Sequence, residues 1–367
     1  MRGANVKRRQ LLAMVGAASV APLNFVDAQE TGGGLELGAA LAAAQDQFAG
    51  KAVRIIISAA AGSGTDRSSR QFLGALERFL PDTRLQVENI DRAAGQIGAS
   101  ELWRAPADGS VIGFPRNNLF YAQLMERETL DFTFTGFTFI GSTNRGHKVL
   151  VLGTESPTDN LAQILSGERI VLASADAVNS SHYYEALLVN ALTGSRIVPV
   201  PGYAGGARNM AVISGEVDCQ IGSIEAVQPI VEAGAGKIVF RLTSDPLPAG
   251  MTDVPRLADN LRDPALMWAV AIIDAAARLG RPIAGPPDMD PAMTAHWKTL
   301  FDAVVADAAF RDASFAEDGL VIDPASAEDI QALLADLVSK GDGLRDSIGT
   351  LLTCGQLLGS SLVSQCG

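Results

Sequence analysis

At 367 residues the chain is long enough for two lobes with separate cores. A composition of 47% apolar and 19% charged residues excludes a disordered or fibrous chain. The formal charge of −12 argues against nucleic-acid binding and requires that any bound anion be held by local donors rather than by the overall field.

The N-terminus carries Arg2, Lys7, Arg8 and Arg9, then an apolar run from Leu11 to Phe25, then Val26-Asp27-Ala28 with small residues where a signal peptidase reads. Residues 1–28 are therefore predicted to be a signal peptide, and the protein to be exported to the periplasm. Arg8-Arg9 fits a twin-arginine signal and equally a general secretory one. The apolar run is too short to span a bilayer, and no later stretch of about 20 apolar residues replaces it. Residues 29–50 are rich in Gly and Ala and read as a tether, with a short helix around 35–48.

The fold is expected to begin near Lys51. Val53 to Ile57 reads as a strand, and Phe72, Leu73, Leu76, Phe79 and Leu80 form the apolar face of a helix. Strands at Leu85 to Val87 and Val111 to Phe114 flank a helix at Ile97 to Trp103. After Phe137 to Ile140 and Val149 to Leu152, Ser156-Pro157 is the expected crossing to a second lobe. There strands at Ile170 to Ala173, Ile197 to Val200, Val217 to Ile221 and Ile238 to Leu242 alternate with helices. The segment Arg281 to Pro287 reads as a return to the first lobe, followed by helices. The rhythm predicts an α/β protein with helices covering parallel sheets, lobe 1 from 51–150 with 282–367 and lobe 2 from 151–281.

The most informative loop is Ala60, Ala61, Gly62, Ser63, Gly64, Thr65 and Asp66, which joins a strand to an amphipathic helix. Such a loop offers backbone N–H groups and a helix N-terminus to an anion, at the end of the strand where open α/β sheets bind ligands. Ser63 or Thr65 either donates a hydroxyl or caps the helix, and a plain tight turn is an equal reading. The loop lacks a Walker lysine, a dinucleotide glycine spacing and a hydrolase elbow. A matching loop spans Ser174 to His182, with Asn179, Ser180 and Ser181 as donors or caps. Ser180 and His182 stand too close along the chain, without a third member, to form a catalytic set. The protein is expected not to be an enzyme. Three widely spaced histidines give no metal pattern, and no cofactor is expected. Asn117, Tyr203 and Ser223, each just after a strand, are weaker candidates for the walls of a cleft. Cys219 reads as a small buried hydrophobe, while Cys354 and Cys366 form either a disulfide or two free thiols.

Ile55 to Arg70, Val87-Glu88-Asn89 through Ala94-Gly95-Gln96, and Pro106 to Gly113 resemble ordered motifs of the periplasmic solute-binding proteins of tripartite tricarboxylate transporters, the Bug family. Phe139 to Ser142 with Asn144-Arg145, Gly202 to Gly206, Gly215 to Asp218 and Gly280-Arg281-Pro282 continue the similarity across most of the chain. The resemblance implies a type II periplasmic-binding fold, two doubly wound lobes joined by a two-strand hinge, in a monomer. It implies that a small organic acid is held by backbone amides, hydroxyls and waters and delivered to a membrane permease of the tripartite tricarboxylate type. Docking to a membrane sensor kinase is the alternative. The sequence departs from the family where Ser63 interrupts a glycine run and where Asp176 stands near the cleft, a charge expected to repel a second carboxylate.

Overall fold

Helix α1 (Gly33–Phe48) opens the part of the chain that the computed structural model describes, residues 33–126, 130–178, 180–247, 251, 253–339 and 341–358. The predicted signal peptide, Asn179 and Cys366 lie outside these residues. Ala44 and Phe48 are buried, and Phe48 packs on Trp297 with ring centroids 4.5 Å apart. The second half of the segment expected as a tether is thus docked, because its apolar residues recur at helical spacing and find a core.

The first series comprises β1 (Ala52–Ile57), α2 (Gly64–Phe79), β2 (Arg84–Asn89), α3 (Gln96–Trp103), β3 (Val111–Phe114), α4 (Asn118–Glu126) and β4 (Thr138–Ser142). The second comprises β5 (Lys148–Gly153), α5 (Leu161–Leu165), β6 (Val171–Ala175), α6 (Ser181–Thr193), β7 (Ile197–Pro201), α7 (Ala207–Ile213), β8 (Cys219–Ser223), α8 (Ile224–Glu232) and β9 (Gly236–Arg241). Helix α9 (Met267–Leu279) leads to β10 (Pro282–Gly285), α10 (Pro291–Ala306), α11 (Ala308–Asp318), β11 (Ala325–Ser326), α12 (Ala327–Ser339) and α13 (Gly341–Leu358).

Two sheets result, one ordered β11-β4-β10-β3-β1-β2 and the other β7-β6-β8-β5-β9. In the first, β2, β1 and β3 run parallel, while β10 lies antiparallel between β3 and β4. In the second, β7, β6 and β8 run parallel, and β5 pairs antiparallel with β8 and β9. The sheets are therefore mixed, not purely parallel. Ile55, Ile56 and Ile57 are all buried, as a central strand covered on both faces requires. On one of those faces, Phe72 of α2 meets Phe114 and Phe310 edge-on at 6.1 Å.

The chain crosses between sheets earlier than Ser156-Pro157, because all of β5 pairs within the second sheet. A fully buried apolar run such as Val149 to Leu152 reads the same in either lobe, so its sheet is decided by pairing alone. The outgoing segment after Ser142 and the returning segment before Pro282 lie side by side. Ser142 Oγ donates to Leu279 O at 2.8 Å and accepts from Arg281 N at 3.0 Å, and Gly146 N donates to Ala277 O at 2.9 Å. Gly280 has φ +52°, and a Cβ there would sit 1.6 Å from Asn144 O, so this crossing admits only glycine.

The assignment of everything after 282 to the first lobe is corrected by α13, which returns to pack on α6 of the second. Asn190 Nδ2 donates to Gly355 O at 3.1 Å, and a Cβ on Gly355 would clash with Leu187 O. The absence of that Cβ lets the two backbones touch. Cys219 is free and fully buried in β8, where burial pushes its thiol pKa up and keeps it inert. No helix among the described residues is long and apolar enough to cross a membrane.

Candidate functional site

The loop after β1 is fixed by a buried carboxylate. Asp66 accepts from Gly62 N at 2.7 Å, Asn89 Nδ2 at 2.8 Å and Arg70 Nε at 2.9 Å, while Asn89 Nδ2 also reaches Ala59 O at 3.0 Å. Burial opposes its ionisation, yet the Gly62 N–H, the Asn89 amide and the Arg70 guanidinium together hold its pKa below the usual carboxylate value. Ser63 caps α2, its Oγ accepting from Asp66 N at 3.3 Å. In the second sheet Ser180 caps α6 in the same way, accepting from Tyr183 N at 3.3 Å. Both caps leave the first N–H groups of their helices without intrahelical acceptors.

A cavity of about 140 Å³ lies where these loops converge with the hinge. That is well below the roughly 300–1,000 Å³ of a drug-sized pocket. Its wall includes Ser63, Gly64, Thr65 and Asn117 from the first lobe, Ser181, Ser223 and Gly205 from the second, and Asn144, Gly146, Gly280 and Arg281 from the hinge. The N-termini of α2, α6 and α8 all contribute to this wall, each with a positive dipole end.

Of the residues singled out in the sequence, Ser63, Gly64, Thr65, Asn117, Ser181 and Ser223 line this cavity. Ala60, Ala61, Gly62, Asp66, Ser174, Ser180 and Tyr203 do not, and most have other work. Ala60 and Gly62 form the turn, with Ala60 O accepting from Ser63 N, and Asp66 braces it. Ser174 Oγ donates to Gln220 Oε1 inside the second sheet. Tyr203 donates its backbone N–H to Ala175 O and does not reach the cavity wall.

Charge is the feature that sequence reasoning missed. Arg116, Lys148, Arg208 and Arg281 line the cavity with Asp176 and Glu225, and Glu185 lies fully buried against Lys148. Arg116 Nη2 stands 3.3 Å from Asp176 Oδ2, and Arg208 Nε 3.1 Å from Asp176 Oδ1. Lys148 Nζ is 3.0 Å from Glu185 Oε1, and Arg281 Nη2 is 3.5 Å from Glu225 Oε1. Arg116–Asp176 links loops of the two sheets across the cleft, and Arg281–Glu225 links the hinge to the first turn of α8. Asp176 is consequently matched by two guanidinium groups and does not stand as the bare repelling charge expected from the sequence. His182 Nδ1 lies 3.6 Å from Asp176 Oδ2, but burial first, then Arg208, Lys148 and Arg116, drive its pKa well below the usual value, so this contact is not an ion pair. With His182 neutral, the cations of the cluster outnumber its carboxylates.

These cations left a weak trace in the sequence. Arg116 follows the end of β3, where ligand loops sit, and Arg281 lies in a Gly-Arg-Pro segment. Lys148 begins a strand that is otherwise apolar, which invites reading it as a solvent-facing end. Among the described residues no cluster of histidine, cysteine or carboxylate side chains could hold a metal ion.

No protein-family model matches the chain, and no curated protein matches it by sequence. Among solved structures it is similar to MatC from Rhodopseudomonas palustris with bound malate, at TM-score 0.63 and 18% identity over 82% of this chain and 99% of that one. The periplasmic binding protein BugD matches at TM-score 0.61 and 18% identity, covering 82% and 98%. A TctC solute-binding protein from Polaromonas matches at TM-score 0.59 and 17% identity, covering 81% and 98%. At these identities the likeness establishes the two-lobed periplasmic-binding fold.

Proposed function

We propose that this periplasmic-binding fold is an exported solute-binding protein of the tricarboxylate-transporter type, which captures a small organic carboxylate by closing its lobes and delivers it to a membrane permease. The observation that carries the reading is the cationic cavity at the hinge, where three helix N-termini and four basic side chains meet inside a protein of net charge −12. The acidic exterior makes such a concentration of positive groups a local device for one anion.

Among the described residues the cavity wall contains no nucleophile–base–orienter set: Ser181 and His182 line it, but His182 faces Asp176 and the flanking guanidinium groups. Capture without chemistry is what this arrangement supports. The two hydrogen-bonded crossings beside it are where hinge bending would occur, because few other covalent paths join the sheets. Processing near residue 28 and export complete the proposal.

The test is a thermal-shift screen of the protein from residue 29 onward against malate, succinate, citrate, acidic amino acids and their uncharged amides. A ligand at about 100 times its Kd adds about 2.7 kcal/mol and raises the transition visibly. Stabilisation by at least one acid and by none of its amides is the expected result. Stabilisation by an amide alone would overturn the anion assignment.

A further inference from the structure

We propose that Arg208 and Lys148 on the second-lobe side of the cavity, joined across the cleft by Arg116 from the loop after β3, form a side-chain anion subsite that grips the second carboxylate of a dicarboxylic acid, with Asp176 bridging the two guanidinium groups. The inference rests on the carboxylate-binding reading and adds to it the residues that select a dianion over a monoanion.

Arg208 is the central observation. It lines the cavity yet is only 6% exposed. Its Nε approaches Asp176 Oδ1 at 3.1 Å without the alignment of a hydrogen bond, and its Nη1 has no hydrogen-bond partner among the described residues. A buried guanidinium has five donors in a fixed fork, and leaving them unmet in a low-dielectric site is costly. Such a group persists where a planar oxyanion completes it, since a carboxylate accepts two parallel N–H bonds from one arginine.

The surrounding charges support the same conclusion. Asp176 is shared between Arg116 and Arg208, and Glu185 is committed to Lys148 at 3.0 Å. With His182 neutral, this group of three cations and two carboxylates carries one positive charge in excess. One carboxylate from the ligand neutralises it. The other end of the same ligand reaches the N-terminus of α2 at Gly64 and Thr65, on the opposite wall of the cavity. Binding by backbone N–H groups on one wall and by side-chain cations on the other makes the two ends chemically distinct.

Isothermal titration calorimetry at neutral pH and fixed ionic strength tests this with succinate, malate and their monoamides on the wild type, Arg208→Met, Arg208→Lys and Arg116→Met. The wild type is expected to bind each dianion about tenfold or more tightly than its monoamide, and Arg208→Met to bring that ratio to about threefold or less. Arg208→Lys, which keeps charge but not the planar fork, falls between them. Should Arg208→Met fail to fold, Arg116→Met supplies the same ratio from a residue nearer the surface, side chain 18% exposed. Tight binding of both acid and monoamide, with a ratio unchanged in the folded variants, overturns the subsite and leaves the solute-binding reading standing. No binding of any acid by the wild type overturns both.

Discussion

Replacing Lys148 with Met removes the ammonium that contacts Glu185, a carboxylate with no solvent exposure. Breaking a buried pair in this way leaves an uncompensated charge and typically costs about 3–5 kcal/mol. Burial already raises the Glu185 pKa above its ordinary value despite the opposing pull of Lys148 and Arg208, and loss of Lys148 raises it further. A carboxylate whose pKa is higher folded than unfolded contributes stability below its unfolded pKa and loses it as pH rises through the folded one. The Lys148→Met deficit in urea unfolding should therefore be larger at about pH 8 than at about pH 5, where Glu185 takes up a proton on folding. The double variant Lys148→Met, Glu185→Leu should recover most of the stability, because it leaves no orphaned charge. A deficit that is the same at both pH values, or below about 1 kcal/mol, would refute the claim that this pair is a coupled buried unit.

Asp66→Ala deletes three hydrogen bonds to a charged group and should cost about 3 kcal/mol in urea unfolding while weakening acid binding, since the loop at the start of α2 loses its brace. Because its pKa is depressed, the stability that Asp66 supplies is present above about pH 4 and fades as pH falls through its folded value; a wild-type minus Asp66→Asn comparison across that range reads it. Gly280→Ala drives a methyl into Asn144 O at the hinge and should lower stability by roughly 3 kcal/mol or more, seen as a lower melting temperature or as insoluble protein. Asn190→Ala, remote from the cavity, leaves the Ile197 N–H and the Gly355 carbonyl without their partner and should cost about 3 kcal/mol with no change in acid affinity measured on the folded protein.

Periodicity and turn chemistry were enough to read the α/β class, nearly every strand, and the small-residue loop that opens α2, because a continuous apolar run ending in small residues marks a strand-to-helix turn. Ser63 as a cap was also legible, since a serine three residues before Asp66 satisfies a helix N-terminus locally. What pairs with what was not. The antiparallel insertion of β10, the membership of β5 and the return of α13 depend on contacts between residues far apart in sequence, and a buried strand carries the same apolar signature in any sheet.

The same limit governed the site. The sequence by itself determined that the protein is acidic, that any anion it binds must be held by local donors, and that two small-residue loops join strands to helix starts, because these are properties of composition and of consecutive residues. Only the tertiary structure decided that Arg116, Lys148, Arg208 and Arg281 share one cavity and that Asp176 is neutralised by two of them. Charges separated by tens of residues become a single electrostatic unit only when the fold removes the water between them.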